Sequence, residues 1–171
     1  MVEFALIAPL LLLLLFGIVD FGRVIYTYVT LNQAVNEGAR AAAIASAPLP
    51  ANAGVEAAVK DHAVDVVLAN PCPNGPISSL NPPGNSGWIY ITEPGWPTAI
   101  EQLSPTLSNA PGGQTPPTAA TGSCSAADPI TGHKPLQVTI VYNFVPFTPL
   151  IRQVTAGQII ITASAVSETE Y

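Results

Sequence analysis

The sequence predicts an α+β fold: a long hydrophobic N-terminal helix, a short amphipathic helix, and a small C-terminal antiparallel β head with long Pro-rich loops. Three patterns predict it. Residues 4–19 are almost wholly apolar, residues 53–69 repeat apolar side chains at helical spacing, and residues 136–144 alternate at strand spacing. The division expected is residues 1–47 for the helix and 48–171 for the head. Within the head, 52–70 is the amphipathic helix, 71–134 a loop-rich insertion and 135–168 the strands.

The first element reads FALIAPLLLLLLFGIV over residues 4–19. As a helix that run is roughly 24 Å long, slightly short of a hydrocarbon core of about 30 Å. Asp20 and Arg23 interrupt it, and Phe21, Val24, Ile25, Tyr26, Tyr28, Val29 and Leu31 carry the apolar pattern on. Tyr26 and Tyr28 suit an interfacial level. A secretory signal fits less well, since no basic region precedes the run and no small-x-small site directly follows it. Pro9 lacks an N–H and is expected to kink or loosen the helix.

Residues 30–47 are rich in helix formers and are followed by Pro48 and Pro50. One continuous helix to about Ser46 is expected. Ala34, Gly38, Ala42 and Ser46 recur at four-residue spacing, with Ala39, Ala43 and Ala47 as a second row. Such rows let backbones approach closely. The partner is either another subunit or the chain's own head, and different faces can serve both.

The amphipathic helix is expected over 53–69, with Asn52 as its cap. Val55, Ala58, Val59, Ala63, Val66 and Val67 form its apolar stripe, and Asn70-Pro71 ends it. Residues 88–92 are a strand candidate. Residues 104–125 are Pro/Thr/Ser/Ala/Gly-rich, a composition of surface loops and also of O-glycosylated segments. Leu136, Val138, Ile140, Tyr142 and Phe144 alternate with more polar neighbours, and 157–166 reads as a second strand.

Composition narrows the function. Charged residues make up 9% of the chain, against about 25% in ordinary soluble domains, so much of the surface is expected to face lipid or protein. The net charge is −6 and the few basic residues are scattered, which argues against nucleic-acid binding. Cys72 and Cys124 sit in Pro/Gly/Ser-rich stretches; in an outward location they are expected to form a disulfide, with two unpaired thiols as the alternative.

No catalytic constellation is present. The sequence has no nucleophile elbow, phosphate loop or zinc-protease motif. His62 stands near Asp61 and Asp65, which reads more simply as a solvated helix face than as a weak metal site. His133 falls in a loop. Trp88, Tyr90 and Trp96 form an aromatic group that suits packing better than sugar binding. The expectation is a non-enzyme without cofactor or metal.

The charged residues on the apolar helix carry more meaning. An ionised Glu3 at the head of such a helix needs a cation, since a carboxylate in lipid costs about 3 kcal/mol even on lenient scales. An N-terminal amine, its own or a neighbouring subunit's, is the obvious one. The plain alternative is a carboxylate at the water interface. Asp20 and Arg23 share a helical face at i, i+3. They either neutralise each other within a subunit or cross-link subunits. Glu37 and Arg40 repeat the spacing.

The order of these features resembles the TadE-like family of Tad/Flp pilus proteins. The run VEFALIAPLLLLLLFGIVDFGR and the later NEGARAA carry the resemblance, and VYNFVPFTPL with GQIIITASAV resembles the closing strands. The resemblance implies a leader cut by a prepilin peptidase, export through Tad machinery, anchorage in the cytoplasmic membrane and assembly through the N-terminal helix. In type IV pilins generally the acidic residue is fifth in the mature chain, whereas Glu3 is third here. Members of that family are usually regarded as minor pseudopilins; the reading expected for this chain is a subunit of a homo-oligomeric extracellular filament for adhesion. Glu3, Pro9, Asp20, Arg23, Ala34, Gly38 and Ala42 are the expected subunit-assembly residues. A minor pseudopilin serving a Flp pilus, or a membrane-anchored adhesin, is the alternative.

Overall fold

The computed structural model describes residues 2–44, 52–69, 82–92 and 135–168. Cys72 and Cys124, and with them the expected disulfide, lie outside the described residues, as do Trp96, His133 and the 104–125 stretch.

Helix α1 runs unbroken over Val2–Ala43, through Pro9. Its 42 residues make a rod of about 63 Å. Helix α2 follows at Asn52–His62, then the strands β1 (Val67–Ala69), β2 (Ser86–Thr92) and β3 (Pro135–Phe144). A six-residue helix, α3 (Pro149–Val154), leads into β4 (Ile159–Glu168). The sheet order is β1-β2-β3-β4, with β1 parallel to β2 and the other pairs antiparallel. The architecture is therefore α+β, with the C-terminal strands β3 and β4 antiparallel as expected and the short β1 adding a parallel edge.

The main departure from expectation is at the end of α2. The helix stops at His62, not near Ala69, and Asp65 turns the chain with a φ of 60°. Val67–Ala69 then pairs with Ser86–Trp88 at the sheet edge. Val64, Val66 and Val67 are β-branched and favour a strand once an edge is available. Helical periodicity through Val66 and Val67 was thus a property of a short strand and its turn.

One face of the sheet meets the helices. Leu136, Val138, Ile140, Tyr142 and Phe144 of β3 join Ile89, Ile91, Ile161 and Ala163 from the flanking strands. They pack on Leu31, Ala34, Val35, Ala39 and Ala42 of α1 and on Val55, Val59 and Ala63 of α2. The alternation expected in β3 orients this core. The opposite face is not simply solvated: Tyr90, Thr139, Val141 and Asn143 are buried too. Tyr90 pairs with Thr139 in register. Its phenol is pushed far above the ordinary range by burial, and its hydroxyl has no hydrogen-bond partner among the described residues.

Candidate functional site

The informative region is the joint where the head meets α1, about halfway along the helix. Below it, Leu10, Leu11, Leu12, Leu13, Leu14, Leu15 and Phe16 are all exposed. Above it, Leu31, Ala34, Val35 and Ala42 are fully buried. Asp20 marks the change: it is only 3% exposed on a stretch of helix whose neighbours Val19 and Phe21 are open.

The segment that Asp20 meets has an unusual backbone. In residues 145–149, Pro146 and Pro149 have no N–H, and the turn needs acceptors for the three that remain. The Val145 N–H donates to Asn85 Oδ1 at 3.1 Å. The Phe147 N–H donates to Asp20 Oδ1 at 3.1 Å, and the Thr148 N–H to Asp20 Oδ2 at 2.8 Å. Both oxygens of one carboxylate therefore hold consecutive amides 127 and 128 residues away in sequence. Hydrogen bonds to a charged group contribute roughly 1.5–3 kcal/mol each. Pro149 then opens α3 as its first residue, the position where a missing N–H costs least.

Arg23 completes the joint. Its Nη1 lies 3.4 Å from Asp20 Oδ1, and its side chain is 34% exposed. The guanidinium sits 3.8 Å from the Phe147 ring centroid and 5.0 Å from that of Phe144. A flat cation over aromatic faces gains attraction beyond the ion pair. Burial raises the phenol of nearby Tyr142, and the positive charge of Arg23 opposes that shift. Asp20 and Arg23 thus neutralise each other within the subunit and latch the β3–α3 turn to α1.

Beside the latch lies an apolar groove of about 320 Å³, lined by Phe16, Val19, Asp20, Phe147, Thr148 and Pro149. Ile151 Cδ1 of α3 is 4.0 Å from where a side chain on Gly17 would begin. The turn and α3 therefore run alongside residues 16–20 of the long helix.

The remaining expected residues fall into three groups. Ala34, Gly38 and Ala42 are buried within the chain, so of the two partners this row allows, the described residues supply the chain's own head. A Cβ on Gly38 would overlap the Val59 Cγ2 methyl of α2, so position 38 has no side chain where α2 is seated. Pro9 is exposed on the free half of α1. Glu3 is in α1, and its side chain lies outside what the structure describes.

The outer pair, Glu37 and Arg40, is 3.8 Å apart and largely solvated. Exposed pairs of this kind contribute little. His62 Nδ1 lies 2.9 Å from the Ala58 carbonyl of its own helix. Among the described residues no group of three His, Cys, Asp or Glu could hold a metal ion.

Sequence reasoning singled out Asp20 and Arg23 but not their partners Phe144, Phe147 and Thr148. The usable signal was V-P-F-T-P: two prolines bracketing two amides that must find an acceptor somewhere.

Comparison with known families agrees with the resemblance read from the sequence. Residues 1–40 match the family model described as TadE-like protein. The match covers the free half of α1, the latch residues Asp20 and Arg23, and most of the buried half. No curated protein and no solved structure matches the chain.

Proposed function

We propose, from the premise that the N-terminal helix is TadE-like, that this chain is a membrane-inserted pilus subunit of the Tad type. It polymerises through the free half of α1 into an extracellular filament used in surface attachment. One observation carries this reading: the large apolar side chains of α1 from Leu10 to Phe16 are all exposed among the described residues. The helix from Ile7 to Ala43 is long and apolar enough to cross a membrane. The same surface can bury itself against copies of itself once a subunit leaves the lipid.

In this reading the cytoplasmic membrane holds the chain first, with the head outside. Prepilin peptidase and the Tad assembly machinery are its processing and export partners. Pro9 supplies a local weakness in the free half, and Glu3 meets a neighbour's N-terminal amine to set axial register. The latch is assigned a different task, holding the head at a fixed angle to the rod. A second reading, equally compatible with the family match, is a minor TadE-like pseudopilin that assists a filament made of smaller subunits.

The test is protein identification on sheared, purified surface filaments, with the fraction of this chain quantified. A dominant share is expected for the filament subunit. A trace share with a small Flp-like protein dominating would overturn that reading in favour of the pseudopilin. Glu3→Ala is expected to abolish filaments while leaving the head folded; normal filaments would remove Glu3 from the mechanism.

A further inference from the structure

The short helix α3 presents an apolar stripe that nothing among the described residues covers. Phe147 is 71% exposed, Leu150 49% and Val154 82%. Their spacing of three and four residues puts Leu150 and Val154 on one face of α3, with Phe147 just ahead of it. Arg152 and Gln153 lie on its other sides, both exposed. Six residues cannot build a core of their own, and three large apolar side chains on so short an element are an unusual exposure.

Depth along α1 identifies what covers them. The latch fixes Phe147 and Thr148 at the level of Asp20, and Ile151 lies against Gly17. A hydrocarbon core of about 30 Å takes about 20 helical residues. Counted from Phe4, it reaches about Arg23. Residues 16–20 therefore lie inside its outer boundary, and the turn and α3 lie beside them. The groove between Phe16, Val19, Phe147 and Pro149 is continuous with the lipid-facing surface of α1.

The geometry points to α3 and its preceding turn as a foot of the head that is seated in the outer leaflet of the membrane, with phospholipid acyl chains against Phe147, Leu150 and Val154 and in the adjoining groove. This rests on the membrane-inserted reading given above and adds a second point of attachment to it. Arg152, on the far side of α3 from the stripe, is placed for headgroup phosphates, as interfacial basic side chains are. Two attachments fix the tilt of the head relative to the bilayer, where a single helix would leave it free to swing. Leaving the membrane then requires the foot to come out together with the helix.

The test is photo-crosslinking of the full-length chain in vesicles of phosphatidylethanolamine and phosphatidylglycerol. p-Benzoylphenylalanine replaces Leu150 or Val154 in the foot, Leu12 in the free half of α1, or Lys60 on α2. Lys60 is exposed and close to the level of Gly38, about 30 Å farther along α1 than the foot. The expected result is a mass increase of one phospholipid at positions 150, 154 and 12, and none at 60. Lipid adducts at 12 but none at 150 or 154 would overturn the foot and leave the membrane reading intact. Crosslinks from 154 to a second copy of the chain would also overturn it, assigning the stripe to a subunit contact. No lipid adduct at 12 would overturn the membrane reading itself and the foot with it.

Discussion

The lower and upper halves of α1 are one continuous helix, yet they are built for different surroundings. From Leu10 to Phe16 the side chains are large, apolar and all exposed. From Leu31 to Ala42 the buried side is mostly small, with Ala34, Gly38, Ala39 and Ala42 letting α2 and the sheet come close. Uniform apolarity suits a surface that must accept changing neighbours, whether lipid or other helices. A one-sided stripe of graded size suits a single permanent partner. Asp20 and Arg23 stand at the boundary, where one polar latch separates the two regimes.

The largest contrast should come from matched truncations. Leu31→Ala removes a fully buried side chain and is expected to destabilise the head by about 2–5 kcal/mol. Leu12→Ala, in the free half, should leave head stability in detergent within about 0.5 kcal/mol of wild type. Chemical unfolding of both variants as monomers measures the difference. Equal losses would mean that the lower half has a partner within the chain and that the division of α1 is wrong.

Asp20→Ala probes the boundary itself. It strands the Phe147 and Thr148 amides and leaves Arg23 without its counter-ion. The expected loss is about 2–4 kcal/mol, and it should appear in the dilute monomer. Faster hydrogen exchange at the amides of residues 147 and 148 would localise it. If the monomer is unaffected while assembly fails, the pair acts between subunits instead.

Gly38→Ala tests why the upper half is small. Intrinsic helix propensity favours alanine by about 1 kcal/mol. Against that, the new methyl would overlap Val59, and overpacking costs about 1–3 kcal/mol. A net loss is expected, relieved by adding Val59→Ala. A gain in stability would show that α2 can shift freely along α1.

How far the sequence could reveal these features follows the same division. The free half was plain, because an unbroken apolar run needs no partner to be recognised. Strands β3 and β4 were plain because alternation is local. The small row at Ala34, Gly38 and Ala42 was visible, but not its partner, since close approach looks the same whether the neighbour is α2 or another subunit. The end of α2 was misjudged for a related reason. Val66 and Val67 fit a helical stripe locally, and only the distant edge of β2 makes a strand the better use of their backbone. The latch was half legible: Asp20 and Arg23 stood out by charge, whereas the acceptor demand of the V-P-F-T-P turn is a long-range fact.

The smallest expected effect has the opposite sign and examines how dry the head is compared with the free half of α1. Tyr90 is buried on the far face of the sheet, and its hydroxyl has no partner among the described residues. Tyr90→Phe removes a polar group buried without a hydrogen bond, so it should be neutral or stabilise the head by up to about 1 kcal/mol at neutral pH. Burial raises the phenol's pKa in the folded state. The unfolded chain therefore releases this proton first, from about pH 10. Wild type keeps this contribution in full below that pH and loses it as the pH rises further. Tyr90→Phe lacks the titrating group and should lose less stability above pH 10, read as a widening gap between the two unfolding curves. Parallel curves, or a loss of stability at neutral pH, would mean that the hydroxyl is hydrated or bonded and that this face of the sheet is open to water.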